Sequence, residues 1–341
     1  MTKAVALPVA AYWKVGKRLL ALLLAGVGLY VVWPSLVEIF SAWPSLISLE
    51  PWWLLGMFVC EALSFALLWI LLEIALQTDR TGLVATTQLA SNAFGRVMPG
   101  GGAAAAGLQY RLLVRGGLDG PTVASGLTAT QLLSVAVVAA MPLLSLPAIV
   151  GGAAVDARLL RTAIVGVLAF ALILAGTAVL LASDRVLAAV ARAAQWLRNQ
   201  VLRRREPLRV LPERLVAQRN TMLRTLGARW WLALTTAAGR ALLDFFALLC
   251  ALSAVGASAR PGLVVLAYVA ASLLGMIPIT PGGLGFVEAG LSSTLVLAGV
   301  GAADAVLVTL AYRLASYWLP LIVGGIAYGG YRVGFDPKAA Q

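Results

Sequence analysis

The chain has no histidine, and that absence removes imidazole general bases, histidine metal ligands and Ser-His-Asp triads together. It has two cysteines, Cys60 and Cys250, each inside an apolar run, so free buried thiols are expected rather than a disulfide. Charge is scarce as well: 12% of the 341 residues are charged, against 61% hydrophobic. A soluble domain carries about 25% charged residues, so this composition is that of an integral membrane protein. Asp-rich metal or nucleotide motifs are missing, and neither a metal nor another cofactor is expected. No polar block is large enough for a separate globular enzyme, which leaves one membrane domain over 1–341.

What the chain does have is apolar runs near the length of about twenty residues that a membrane helix needs. Six full spans are predicted, at 18–40, 52–76, 121–142, 160–182, 230–255 and 304–331. Four shorter helices are predicted between them, at 83–97, 102–115, 263–278 and 284–299. Each is too short to cross comfortably, and each pair is interrupted by a Pro-Gly break. The pairs, 83–115 and 263–299, read as re-entrant hairpins. The fold expected is all-α and polytopic, with about six spans plus two such hairpins arranged as inverted repeats. Non-helical backbone at membrane depth is tolerated only inside protein or along a wet cavity.

The net charge of +12 is concentrated. Between Asp184 and Trp230 eleven arginines face two glutamates. In so apolar a chain this run reads as a cytoplasmic loop, 184–229, obeying the positive-inside rule, and not as a nucleic-acid surface. Val186, Leu187, Val190, Ala194 and Leu197 fall on one face of it, so it is expected to lie on the inner leaflet and attract anionic headgroups. Lys3, Lys14, Lys17 and Arg18 precede the first span, and no small-x-small cleavage site follows, which reads as an uncleaved first helix. With both termini cytoplasmic, Arg80, Arg111, Arg115 and Arg332 also fall inside. The expected location is a bacterial cytoplasmic membrane.

The two breaks echo each other. Pro99-Gly100-Gly101 and Pro281-Gly282-Gly283 lie 182 positions apart, Pro99 to Pro281. The same offset aligns Gly117 with Gly299 and Ser134 with Ser316, and sets Gln131 opposite Arg313. Three full crossings are predicted between the breaks, so one hairpin enters from the cytoplasm and the other from outside. Broken helices duplicated in two halves point to a transporter's substrate site.

Charged and polar residues gather around these breaks. Asn92, Arg96, Pro99, Gly100, Gly101 and Arg111 mark the first hairpin, where a helix N-terminus beside a guanidinium would suit a phosphate. Thr280, Pro281, Gly282, Gly283 and Gly285 mark the second, with Thr280 as a candidate N-cap. Glu288 lies one turn into the following helix and is read either as a proton carrier or as the static partner of Arg313 or Arg240. Arg240 and Asp244, four apart in the fifth span, share a helix face and can pair. Arg313 sits within the last span and needs a partner, either Glu288 or a lipid phosphate. Glu61, deep in the second span, joins Asp244 and Glu288 as a candidate for proton coupling.

The stretch Thr280-Pro281-Gly282-Gly283-Leu284-Gly285-Phe286-Val287-Glu288, followed by the Arg313 span, resembles the lysylphosphatidylglycerol synthase transmembrane, flippase-like family. Asn92 to Gly101 resembles that family's first-half signature. The resemblance implies a membrane domain that moves lipids or lipid-linked sugars between leaflets, and it carries over Asn92, Pro99, Pro281, Gly282, Gly283, Gly285, Glu288 and Arg313. Many members place Gly-Glu after the first proline. Here the stretch is Gly102-Ala103-Ala104-Ala105-Ala106, so the first-half carboxylate is missing. No aminoacyl-transfer domain follows before Gln341, so lysyl-lipid synthesis is not expected.

The function expected is therefore a lipid flippase and not an enzyme. Its cargo would be an anionic or lipid-linked amphiphile such as a phospholipid, polyprenyl-phosphate sugar, glycolipid or hopanoid. The rival readings are a membrane-embedded transferase acting on a lipid-linked sugar, and a non-transporting subunit of a lipid-synthesis complex. Membrane lipids are the expected partners, with a homodimer and a lipid-pathway enzyme as further candidates.

Overall fold

A computed structural model describes residues 49–98, 101–147, 182–201, 227–276 and 280–335, with isolated positions in 37–46, 157–179 and 210–220. The expected spans at 18–40 and 160–182 lie largely outside the described residues, as do Pro99 and Gly100. The described residues are helical and contain no strand. In chain order the helices are α1 (Pro51–Leu76), α2 (Thr81–Val97), α3 (Gly101–Arg115), α4 (Gly120–Ala140), α5 (Asp184–Val201), α6 (Trp230–Val255), α7 (Pro261–Met276), α8 (Phe286–Leu297), α9 (Ala302–Arg313) and α10 (Leu319–Gly334). A 3₁₀ turn, Met141–Ser145, extends α4, and one π turn, Leu314–Trp318, joins α9 to α10.

Among the described residues four continuous segments are long and apolar enough to cross a bilayer: Pro51–Leu76, Gly120–Ser145, Trp230–Val255 and Ala302–Tyr331. At 1.5 Å per residue, the 26 residues of α1 reach about 39 Å, beyond the ~30 Å hydrocarbon core. The hairpin helices are shorter, from 17 residues in α2 to 12 in α8. Polar and apolar side chains are distributed inside out. Leu55, Val59, Leu63 and Ile70 of α1 and Ile322 and Ile326 of α10 are exposed, whereas Glu61, Gln88, Thr130, Glu288 and Arg313 are buried. A water-soluble chain would not present so much apolar side chain outward. This is a multi-pass membrane protein.

The helix ends follow local chemistry, and they recur with the repeat. Asp119 caps α4 by accepting from Thr122 N at 3.1 Å, with Pro121 in the first turn. α3 ends at Gly117 (φ +93°) and α8 at Gly299 (φ +99°), a left-handed conformation that a side chain would resist. Leu118 N bonds Leu113 O at 3.2 Å, and Val300 N bonds Leu295 O at 3.1 Å. At the hairpin corners Gly101 N bonds Met98 O and Gly283 N bonds Thr280 O, both at 3.1 Å. All these pairs keep the 182-residue offset found between the two Pro-Gly-Gly sequences.

α1 and α6 form the central pair and run antiparallel. Gly56 packs on Cys250, Ser64 Oγ donates to Arg240 O at 3.2 Å, and Gly239 packs on Leu67. Small residues let the two backbones approach without lipid between them. The first hairpin (α2–α3) follows the C-terminal end of α1, and the second (α7–α8) follows the C-terminal end of α6. Because α1 and α6 are antiparallel, the hairpins are inserted from opposite ends of the pair. The remaining contacts are reciprocal: α2 packs on α10 and α7 on the turn extending α4, while α4 packs on α1 and α9 on α6. The two hairpin tips meet midway, where α2 touches the Pro281–Gly283 turn.

Candidate functional site

The meeting of the tips is organised by Pro320. It has no N–H, so the Ser316 carbonyl one turn earlier loses its helical donor, and Leu319 N reaches back to Leu314 O in a π turn. The freed Ser316 carbonyl and the neighbouring Tyr317 carbonyl are taken by Arg96 at the end of α2. Its Nη2 donates to Ser316 O at 2.8 Å and its Nη1 to Tyr317 O. The Arg96 and Arg313 guanidiniums lie 4.7 and 4.4 Å from the centroid of the Tyr317 ring. Tyr317 Oη donates to Arg96 O at 3.2 Å, and the ring is seated against Gly282, where a Cβ would overlap it. One tyrosine therefore ties the tip of the first hairpin to the tip of the second.

Next to this brace lies a polar chamber. A cavity of about 180 Å³ is lined by Glu61, Asn92, Arg96, Arg240, Asp244, Tyr268, Tyr312, Arg313 and Ser316, among others. It shares Asn92, Arg240, Asp244, Tyr268 and Ser272 with a larger cavity of about 610 Å³ that runs between α3 and α4. Asp244 accepts from Tyr268 Oη at 2.8 Å and from Tyr312 Oη at 2.7 Å. The Glu61 carboxyl adjoins that of Asp244, and its Oε2 is buried without a hydrogen-bond partner. Arg240 lines both cavities. Among the described residues the ion pairs within 4 Å are Arg313–Glu288 and Arg219–Asp184, so Arg240 has no carboxylate at that distance.

The ion pair closes the other side. Arg313 Nε donates to Glu288 Oε1 at 2.6 Å, and Arg313 Nη2 reaches Gly282 O at 3.4 Å. Arg313 faces the central chamber, while Glu288 lines a separate cavity of about 430 Å³ between α8 and α9. The pair stands between the two spaces. At the repeat offset, Glu288 corresponds to Ala106 and Arg313 to Gln131, and both of these line the 610 Å³ cavity. Where the second half has a closed charge pair, the first half has an opening that reaches Arg240 and Asp244. Its wall residues Gly102, Ala103, Ala106 and Gln131 are exposed at the protein surface.

Of the residues singled out from sequence, Glu61, Asn92, Arg96, Arg240, Asp244 and Arg313 line the chamber, and Glu288 meets it through Arg313. Arg111 does not join them and is exposed on α3. The Arg240–Asp244 pair allowed by spacing is not formed within 4 Å; Asp244 accepts instead from two tyrosines on other helices. Of the two expected partners for Glu288, Arg313 is the one bonded. Thr280 does not cap a helix: its Oγ1 donates to Leu284 O at 2.9 Å, and α8 begins only at Phe286. Gly101 and Gly283 spend their N–H groups on the corner turns, so neither tip presents those donors to an anion. Gly285 is exposed beside the second-half cavity, and the Pro281 backbone lies in the corner turn. Spacing alone did not single out Tyr268. Its signal was a lone tyrosine in the apolar stretch of α7, which needs a polar partner when buried.

With this geometry in place, likenesses to known proteins acquire meaning. The family described as the lysylphosphatidylglycerol synthase transmembrane region matches residues 18–324, which takes in both hairpins and the chamber. A UPF0104 membrane protein of Pyrococcus horikoshii is 41% identical over 63 residues. That match covers 18% of this chain and spans 19% of the relative's length.

Proposed function

Because the chain belongs to the lysylphosphatidylglycerol synthase transmembrane-region family, we propose that it is a lipid flippase, carrying an anionic-headgroup amphiphile between leaflets by alternating access. The family description supports a lipid cargo, and the duplicated broken helices support a transporter. The observation that carries the reading is the unequal pair of lateral cavities around one chamber. The first-half cavity communicates with the chamber residues, and the second-half cavity is shut off by Glu288–Arg313. Alternating access requires one open and one closed route to a shared site.

The hairpins then act as re-entrant loops from opposite membrane faces. Arg80, Arg111 and Arg115 gather at the open end of the first hairpin, where Arg80 Nη1 donates to Gly116 O at 2.6 Å. By the positive-inside rule that end is cytoplasmic. The lipid headgroup enters between α3 and α4 with its tails left in the bilayer, and its phosphate meets Arg240. Breaking Glu288–Arg313 and opening the second cavity releases it to the other leaflet. The adjacent carboxyls of Glu61 and Asp244 exchange a proton as the site changes sides. No bond in the lipid is made or broken.

Purified protein in proteoliposomes with a fluorescent phosphatidylglycerol tests this. Lipid should reach the opposite leaflet faster than in empty vesicles and be recovered chemically unchanged. Rates equal to empty vesicles for both anionic phospholipids and polyprenyl-phosphate sugars would refute transport, and a chemically altered lipid would establish an enzyme instead.

A further inference from the structure

The wall of the first-half cavity carries hydrogen-bonding groups that the fold itself leaves unused. Asn92 Oδ1, Gln109 Nε2 and Thr130 Oγ1 are buried and have no partner. All three residues line the same 610 Å³ cavity. Buried polar groups in folded proteins are almost always paired, so three orphans on one wall mark a place where a ligand supplies the missing bonds. One is an acceptor, one a donor and one a hydroxyl able to do either. Gln131 and Ser134 add further neutral polar groups.

The charge content of that wall discriminates between headgroups. Its cation is Arg240 and its carboxylate is Asp244, which already accepts from two tyrosine hydroxyls. An ammonium headgroup would want free carboxylates or an aromatic cage, and Tyr268 is the lone aromatic ring there. A bare phosphate would accept from Arg240 and Gln109 Nε2 but leave the Asn92 Oδ1 acceptor without a donor, so it does not match the orphaned groups as a set. Vicinal hydroxyls, each donating and accepting, match them. The room exists because Ala106 and Gln131 stand where the second half places Glu288 and Arg313. The volume falls within the roughly 300–1,000 Å³ usual for small-molecule sites.

We propose that the first-half cavity is a headgroup subsite for a phosphate-linked polyol or sugar, with the phosphate on Arg240 and the hydroxyls on Asn92, Gln109 and Thr130. This rests on the flippase reading for its route of entry, but binding is measured independently of transport. The protein, purified in a detergent without a sugar headgroup, is titrated with phosphatidylinositol, polyprenyl-phosphate glucose, glucose 1-phosphate and phosphatidic acid, and its thermal midpoint is followed.

The phosphate-linked polyol lipids should half-saturate at about tenfold lower concentration than phosphatidic acid. Asn92→Leu and the near-isosteric Thr130→Val should each remove most of that preference by weakening the polyol lipids more than phosphatidic acid. Ala106→Glu with Gln131→Arg, which rebuilds the charge pair in the first half, should abolish binding of all lipids. The lipid-free midpoint of each variant reports folding. Glucose 1-phosphate binding as well as the lipids would keep the subsite and assign its occupant to the soluble pool. Equal affinity for phosphatidylinositol and phosphatidic acid, or a preference untouched in both Asn92→Leu and Thr130→Val, overturns the subsite. Selective binding without transport would sink the flippase reading and leave the subsite standing. Transport of all anionic lipids at one rate, with no selective binding, would do the reverse.

Discussion

Arg313 and Glu288 bond at 2.6 Å with both side chains about 11% exposed, at the repeat positions where the first half has Gln131 and Ala106. The pair both supports the second hairpin and shuts its cavity off from the chamber. Removing one member leaves a buried charge without compensation, so Arg313→Ala is expected to cost about 3–5 kcal/mol of stability. Glu288→Gln should cost less, since an amide oxygen still accepts from Nε. The double variant Glu288→Ala with Arg313→Gln copies the first half and removes both charges, so its thermal midpoint should recover most of the Arg313→Ala loss. It should also let lipid equilibrate in proteoliposomes irrespective of an imposed proton gradient. A double variant no more stable than Arg313→Ala would show that the pair is not the source of the cost.

Arg96 holds the tip of the first hairpin against the Ser316 carbonyl that Pro320 sets free and the Tyr317 carbonyl beside it. Lysine has neither the planar fork for two carbonyls nor the same stacking on Tyr317, so Arg96→Lys should destabilise by about 1–3 kcal/mol. Pro320→Ala supplies the missing N–H to the Ser316 carbonyl and competes with Arg96 for it. Amide exchange over 314–320 should slow in that variant while the Arg96 contact loosens. Unchanged exchange there would mean that the π turn has another cause.

Much of the fold was legible because membrane helices announce themselves by length and because the Pro-Gly corners recur. The predicted hairpin helices at 102–115 and 284–299 correspond to Gly101–Arg115 and Phe286–Leu297, and Gly117 and Gly299 each close one. The chamber was legible in its charges and in Asn92. Partners far apart in sequence were not: Tyr312 reaches Asp244 from 68 positions away, and Arg96 reaches Ser316 from 220. Spacing suggests an Arg240–Asp244 pair but cannot weigh it against hydroxyls arriving from other helices. The clue to the Arg96 contact was local, a proline one turn past Ser316, and its meaning needed the facing helix. In the basic run the structure places helix α5, on which Val186 and Val190 are exposed, as are Arg185 and Arg192.

Cys250 of α6 neighbours Cys60 of α1 across the α1–α6 interface, and both cysteines are free. Mild oxidation with copper phenanthroline should therefore join α1 to α6 within one chain and remove both thiols from maleimide labelling. Cys60→Ser should prevent it. The bond tests the antiparallel pairing on which the opposed hairpins depend. Both thiols remaining open to maleimide after oxidation would contradict that register.

Asp244 separates a structural from a coupling role. Two tyrosine hydroxyls donate to it, one to each carboxylate oxygen; in asparagine the carbonyl accepts from one, and the amide nitrogen donates to the other hydroxyl once that hydroxyl turns its proton away, so Asp244→Asn should fold with a thermal midpoint close to the original. Tyr268→Phe and Tyr312→Phe each remove one donor from a buried carboxylate and should cost about 1–3 kcal/mol. If Asp244 and Glu61 exchange a proton during transport, Asp244→Asn should also lose the response of lipid transfer to an imposed pH gradient, while downhill exchange persists. A variant that folds and keeps its full gradient response would leave Asp244 as an anchor for the two tyrosines and move the proton to Glu61 alone. Glu61→Gln then decides the matter, because its carboxyl Oε2 has no hydrogen bond to lose in the structure.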